Sequence, residues 1–202
     1  MGYYLRVLAE SDAEIPPSQL QRRLQEDGIQ ALLEAEASEG AHWTWLLLKH
    51  PDGTPIADIE RNDVNPGSLG SRELEGFSEE VEDRRPANAT GWLRSFFKSV
   101  KTIYAFQVLG GADTGRGWEA IWAVQGELWG TLGGILQSDA EGFTNEDGYH
   151  ILWQFADNVR GPWKMAVLGN DGQWTAFEMD LGNRDHRAAF LKGQVPTGAK
   201  LL

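Results

Sequence analysis

The chain has 202 residues, 41% hydrophobic and 24% charged, with a formal net charge of −12, nine Trp and no Cys. Lack of Cys excludes disulfides, thiolate metal sites and cysteine nucleophiles, and fits a reducing compartment. The opening "MGYYLRVLAE" has too short an apolar run for a signal peptide and no stretch approaches a membrane span, so the expected setting is cytoplasmic with no membrane partner.

The first strand is expected at "YYLRVLAE", which alternates and is rich in aromatic and branched residues. "IPPSQLQRRLQEDG" predicts a short helix, with Ser18 and Gln21 at capping-box spacing, Leu20 and Leu24 on one face and Gly28 as the stop. "IQALLEAEA" reads as a strand and "SEGA" as a loop. "WTWLLLKH" is apolar on both faces as a central strand would be, and "PDGTP" turns it into "IADIER". Leu74, Phe77 and Val81 fall at helical spacing on an acidic segment that Pro86 ends, and Trp92 and Phe96 mark another helix.

"KTIYAFQVL" predicts a further strand, and after "GGADTGRG" a helix follows in which Trp118, Ile121, Trp122, Leu128 and Trp129 form the stripe expected to face the core. Two strands near 134–138 and 149–155 should then enclose an acidic loop. In the tail, "NDG" at Asn170 to Gly172 is a hairpin signal, and "NRDHRAAFLKG" a short helix closed by Gly193. The expected fold is α+β, a mostly antiparallel sheet from two βαββ-like stretches with helices packed on one face, plus a C-terminal β-hairpin and helix. Residues 1–159 form the expected main domain and 160–202 an appendage packed on it.

Over roughly residues 1–155, at "YYLRVLAE", "IYAFQVLGG" and "GGILQSDAEGF", the sequence resembles an uncharacterised group of bacterial proteins. That resemblance implies a bacterial cytoplasmic protein and assigns a role to no residue.

Charge is uneven along the chain. Residues 1–90 hold 18 acidic and 8 basic side chains, whereas residues 91–202 hold 12 and 10. A nucleic-acid binder needs clustered Lys and Arg to displace counterions, and the largest cluster is the Arg84-Arg85 pair amid acids, so nucleic acid is not an expected ligand. An acidic surface is suited to steering a basic protein partner.

Several patterns invite a catalytic or ligand-binding reading. In "DAEGFTNEDGYH", Asp139 and Glu141 occupy the first and third positions of a calcium loop, but Phe143 takes the fifth, Glu146 the eighth and His150 the place of the bidentate Glu. The match fails, and the Gly, Asn and Asp residues are those a turn requires. A general acid and base pair could still be drawn from Glu141, Glu146 and Asp147. Gly115, Gly117 and Ala120 spell the dinucleotide pattern G-x-G-x-x-A, yet five residues separate them from the strand and Trp118 brings bulk to the pyrophosphate seat. An anion at that helix start, helped by Arg116, is the broader possibility. The four His, His42, His50, His150 and His186, show no metal-ligand spacing, and no G-x-S-x-G elbow is present.

The expectation is therefore a non-enzymatic acidic binding protein, immunity-protein-like in masking a basic partner, with no cofactor and no metal. Its candidate contacts are Asp139, Glu141, Glu146, Asp147, Arg116, Trp43 and Trp45. The alternative is a small-molecule, anion or nucleotide binder, or an enzyme, using the 110–118 and 139–150 loops. A third reading is a homo-oligomer in which exposed Trp pair across a symmetry axis.

Overall fold

The computed structural model describes residues 2–35 and 42–202. The predicted loop "SEGA" and the last residues of the strand expected before it lie outside the described residues. In chain order the elements are β1 (Tyr3–Ala9), α1 (Pro17–Glu26), β2 (Leu32–Ala35), β3 (Trp45–Lys49), β4 (Pro55–Asp63), α2 (Leu69–Glu80), α3 (Ala87–Phe96) and β5 (Thr102–Val108). A 3-10 turn at Gly110–Asp113 leads to α4 (Gly117–Leu132), β6 (Ile135–Ser138), β7 (Gly142–Phe143), β8 (Pro162–Leu168), β9 (Trp174–Asp180), α5 (Arg184–Leu191) and β10 (Lys200–Leu201). The fold is α+β and its strand pairs are mostly antiparallel. Among the described residues no helix is long and apolar enough to cross a membrane.

The chain forms two compact units, Met1–Ser71 with Val100–Gly134, and Arg72–Ser99 with Ile135–Leu202. In the first, β2, β3, β4, β5 and β1 lie side by side in that order, each pair antiparallel. Alternation sets the faces. Leu5, Val7, Leu46, Leu48, Ile59 and Phe106 are buried on one of them, the side on which α4 meets β1 through Tyr3 and Trp118, whose rings are 6.2 Å apart. Leu20 and Leu24 of α1 are wholly buried as their spacing predicts. The capping box at Ser18 does not form, because Pro16 is the N-cap and supplies no side-chain bond. Gly28 stops the helix with a positive φ of 66°, a conformation that costs glycine little.

Helix α4 exists as predicted, but its buried face differs. Gly117, Ala120, Ile121, Val124 and Leu128 are buried, whereas Trp122 is 58% exposed and Trp118 and Trp129 are half-buried. At about 100° per residue, the indoles sit roughly a quarter turn or more round the helix from that face. Small residues permit close approach, so they line the inner side while the Trp residues flank it. Trp118 and Trp129 each place the indole N–H on a loop acceptor, Asp113 Oδ1 and Gly134 O, both at 2.9 Å.

In the second unit, Phe77 of α2 and Phe97 after α3 meet Phe143 of β7 at ring distances of 5.3 and 5.5 Å. The β8–β9 hairpin turns at the predicted "NDG", where Gly169 N donates to Gln173 O and Gly172 takes a φ of 77°. β10 adds to the free edge of β9, a strand the sequence did not signal. Asn183 caps α5 by accepting from the amides of Asp185 and His186. Trp153 and Phe155 share one core with Met165, Phe177, Met179 and Phe190. Residues before 160 and after it thus bury the same apolar surface, and the boundary expected at 159/160 does not separate the units.

Candidate functional site

The second face of the first unit's sheet is built by register. Glu34 on β2 is opposite Leu47 on β3, Leu47 is opposite Asp58 on β4, Asp58 is opposite Gln107 on β5, and Gln107 is opposite Tyr4 on β1. The next row runs Trp45, Glu60, Ala105, Arg6. Glu34 and Glu60 are exposed, and Trp45, Leu47, Asp58 and Tyr4 are half-buried. Lys49 pairs with Glu34, and the Arg6 guanidinium lies 5.1 Å from the Tyr4 ring. Trp45 and Leu47 on β3 are thus flanked by Asp58 and Glu60 on β4, and Leu47 also by Glu34 on β2, while Tyr4 lies two strands further on, beside Gln107. Of these residues the sequence singled out Trp45 alone. The signal for the others was the alternation in "IADIER", which places Asp58 and Glu60 opposite the apolar Ala57 and Ile59.

Trp43 does not share that face. It is 2% exposed, its indole N–H donates to Ile15 O at 2.7 Å, and its ring lies 5.6 Å from that of Tyr104. It anchors the segment entering α1.

At the 110–118 loop the glycines serve packing. A Cβ on Gly117 would come within 2.4 Å of Gly111 O, so the helix start is pressed onto its own 3-10 turn, not held open for a pyrophosphate. His50 Nε2 donates to Gly111 O at 2.9 Å and fastens this turn to the β3–β4 loop. Arg116 donates to Glu119 Oε2 at 2.8 Å through Nε and to Gly28 O at 2.9 Å through Nη1. The Arg116 hydrogen bond holds the Glu119 carboxyl below its usual range. The anion that Arg116 was expected to attract is thus answered first by the chain's own Glu119 and Gly28. Grooves of about 330 and 430 Å³ flank Arg116, one running to His50 and Pro51, the other to Trp122.

The acidic segment 139–150 is two turns in succession. β6 and β7 pair Gln137 with Phe143 and Ser138 with Gly142, a tight hairpin in which Asp139 and Glu141 are half-buried. The second turn is organised by Asn145, fully buried, whose Oδ1 accepts from the amides of Asp147 and Tyr149 at 3.2 and 2.9 Å. Glu146 and Asp147 are exposed there. The strand expected at 149–155 is replaced by an irregular buried stretch with bridges only at His150, to Thr144 and Met165. Its amides are satisfied singly, Ile151 N by Phe143 O and Trp153 N by Arg85 O. Among the described residues no three His, Asp or Glu side chains are grouped to hold a metal ion.

Changing Asp139, Glu141, Glu146 and Asp147 together to Asn or Gln is expected to alter unfolding free energy by less than about 2 kcal/mol, because partly exposed ion pairs contribute about 0–1 kcal/mol each. Asn145→Ala, which strips the acceptor from two amides, should cost about 1–3 kcal/mol. Urea titration of the two variants distinguishes a turn held by its Asn from one held by its charges.

A further polar cluster lies on the covered face of the first unit. Arg61 Nε, Thr102 Oγ1 and Tyr104 Oη are buried and find no hydrogen-bond partner among the described residues, and Asp63 Oδ1, also buried, makes no aligned hydrogen bond although it lies 3.2 Å from Arg61 Nη2. Burial raises the Tyr104 phenol above its usual pKa, with Arg61 opposing and Asp63 and Glu14 adding to the rise. An orphaned buried polar group costs about 1–3 kcal/mol.

No protein-family model, curated protein or solved structure matches this chain.

Proposed function

We propose that the protein is a non-enzymatic binding protein whose first unit engages a basic protein partner, in the manner of an immunity protein that masks a toxin. The observation carrying this reading is the sheet face on which Asp58 and Glu60 adjoin Leu47 and Trp45, with Glu34 paired to Lys49 at one edge and Arg6 beside Tyr4 on β1. The unit as a whole holds 15 acidic and 7 basic side chains, a net of −8. A field of one sign accelerates encounter with an oppositely charged protein, and a half-buried Trp on the sheet face supplies the apolar contact that holds it. The acids of 139–150 belong to the second unit and add to the same sign of charge without being required by this face.

The test is capture of partners from cells of the source organism with the wild-type chain and with a Trp45→Ala, Asp58→Asn, Glu60→Gln variant, bound proteins being identified by mass spectrometry. A basic protein held by the wild type should be released by the variant, with association slowing as salt is raised. Equal capture by both chains, or recovery of a nucleotide or metabolite in place of a protein, sinks the reading.

A further inference from the structure

The four buried atoms of the first unit that make no hydrogen bond among the described residues belong to two adjacent cross-strand pairs. Register puts Arg61 opposite Tyr104 and Asp63 opposite Thr102, and residues two apart share a face, so all four side chains leave the sheet on the same side. Thr102 and Tyr104 are wholly buried, and the Arg61 side chain is 5% exposed. Neighbouring groups close the cluster. Arg61 Nη2 lies 3.2 Å from Asp63 Oδ1 and donates to Asp12 O at 3.2 Å, Nη1 lies 3.2 Å from His42 Nδ1, and the Trp43 ring covers Tyr104.

We propose that Arg61, Asp63, Thr102 and Tyr104 form a hydration site, in which two water molecules together accept from the three donors and one of them donates to the Asp63 carboxylate. The donor and acceptor inventory selects the ligand. Arg61 Nε–H, the Thr102 hydroxyl and the Tyr104 hydroxyl need lone pairs, while Asp63 Oδ1 needs a proton, and a hydroxyl oxygen offers both. A buried anion fits poorly, because Asp63 already answers the Arg61 charge and would leave a second negative charge desolvated without compensation. The four atoms themselves are closed to bulk solvent, while the Asp63 side chain as a whole is 43% exposed, so the site lies at the rim of the buried face, beneath that carboxylate. Internal waters make about three hydrogen bonds each to groups that would otherwise go without. Through Arg61 the site also fixes the main chain at Asp12, next to the segment Trp43 anchors.

A crystal structure of the full chain, paired with thermal unfolding of Tyr104→Phe and Thr102→Val, tests this inference apart from any partner. Expected is compact density at about 2.7–3.2 Å from two or more of the four atoms. Each variant, having lost a hydrogen bond to that water, should melt about 2–4 °C lower. A bare hydroxyl predicts the reverse, since Tyr104→Phe would remove an unsatisfied group and raise the melting temperature. That rise, a dry site in the crystal, or elongated density from a larger solute overturns the proposal.

Discussion

Trp43→Ala should lower the unfolding free energy by about 3–5 kcal/mol, the range for removing a large buried aromatic, whereas Trp122→Ala should stay within about 0.5 kcal/mol of wild type. Trp43 is 2% exposed and Trp122 58% exposed. Part of the Trp43 loss is packing against Tyr104, and part is the Ile15 carbonyl left without its indole donor. Trp43→Phe separates the two. It keeps most of the ring volume but not the hydrogen bond, and should cost only about 1–3 kcal/mol. Urea unfolding followed by circular dichroism, which does not depend on the removed fluorophore, provides the measurement. Equal losses at Trp43 and Trp122 would mean that the inner face of the first unit has been assigned wrongly.

The contrast between these two residues shows what pattern reasoning could reach. Strand β1, the "NDG" hairpin and the Leu20–Leu24 face of α1 were legible because alternation, turn chemistry and helical spacing are local signals. Helix α4 was legible as a helix and not as an oriented one. Hydrophobic periodicity weights Trp heavily and Ala or Gly hardly at all, yet Gly117, Ala120 and Ala123 are buried and Trp122 is not.

The stretch 149–155 misled for another reason. Ile151, Leu152, Trp153 and Phe155 are as apolar and buried as a central strand, but the amides of Ile151 and Trp153 go singly to the carbonyls of Phe143 and Arg85, and nothing in residue type distinguishes that from a ladder. The grouping of residues 72–99 with 135–202 depends on long-range packing, and the sign change of charge near 160 stood in for a boundary that packing places elsewhere. Of the candidate sheet face, Trp45 was found through composition, while its acidic neighbours became visible only when register set Glu60 and Asp58 beside it.

Acid should weaken the protein through His150. Its ring is 14% exposed and lies against Trp163 at 4.9 Å and Phe155 at 5.5 Å. Desolvation pushes its pKa down to about 4. Glu141 at 4.0 Å favours the imidazolium, but that carboxylate is 36% exposed and its pull is screened by solvent, so burial prevails. In the unfolded chain the imidazole titrates near the ordinary value of about 6.5. Between those two values the unfolded state binds the proton and the native state does not, so stability is complete above about pH 6.5 and falls as pH drops toward 4. At about 1.4 kcal/mol per pKa unit, the full loss approaches about 3 kcal/mol. Carboxylates add their own losses in acid, so the informative quantity is the difference between wild type and His150→Gln, which cannot titrate. Urea midpoints at pH 7, 6, 5 and 4 should fall more steeply for the wild type than for the variant. Parallel curves would show that His150 accepts its proton in the native state, and that the contact with Glu141 outweighs the aromatic burial after all.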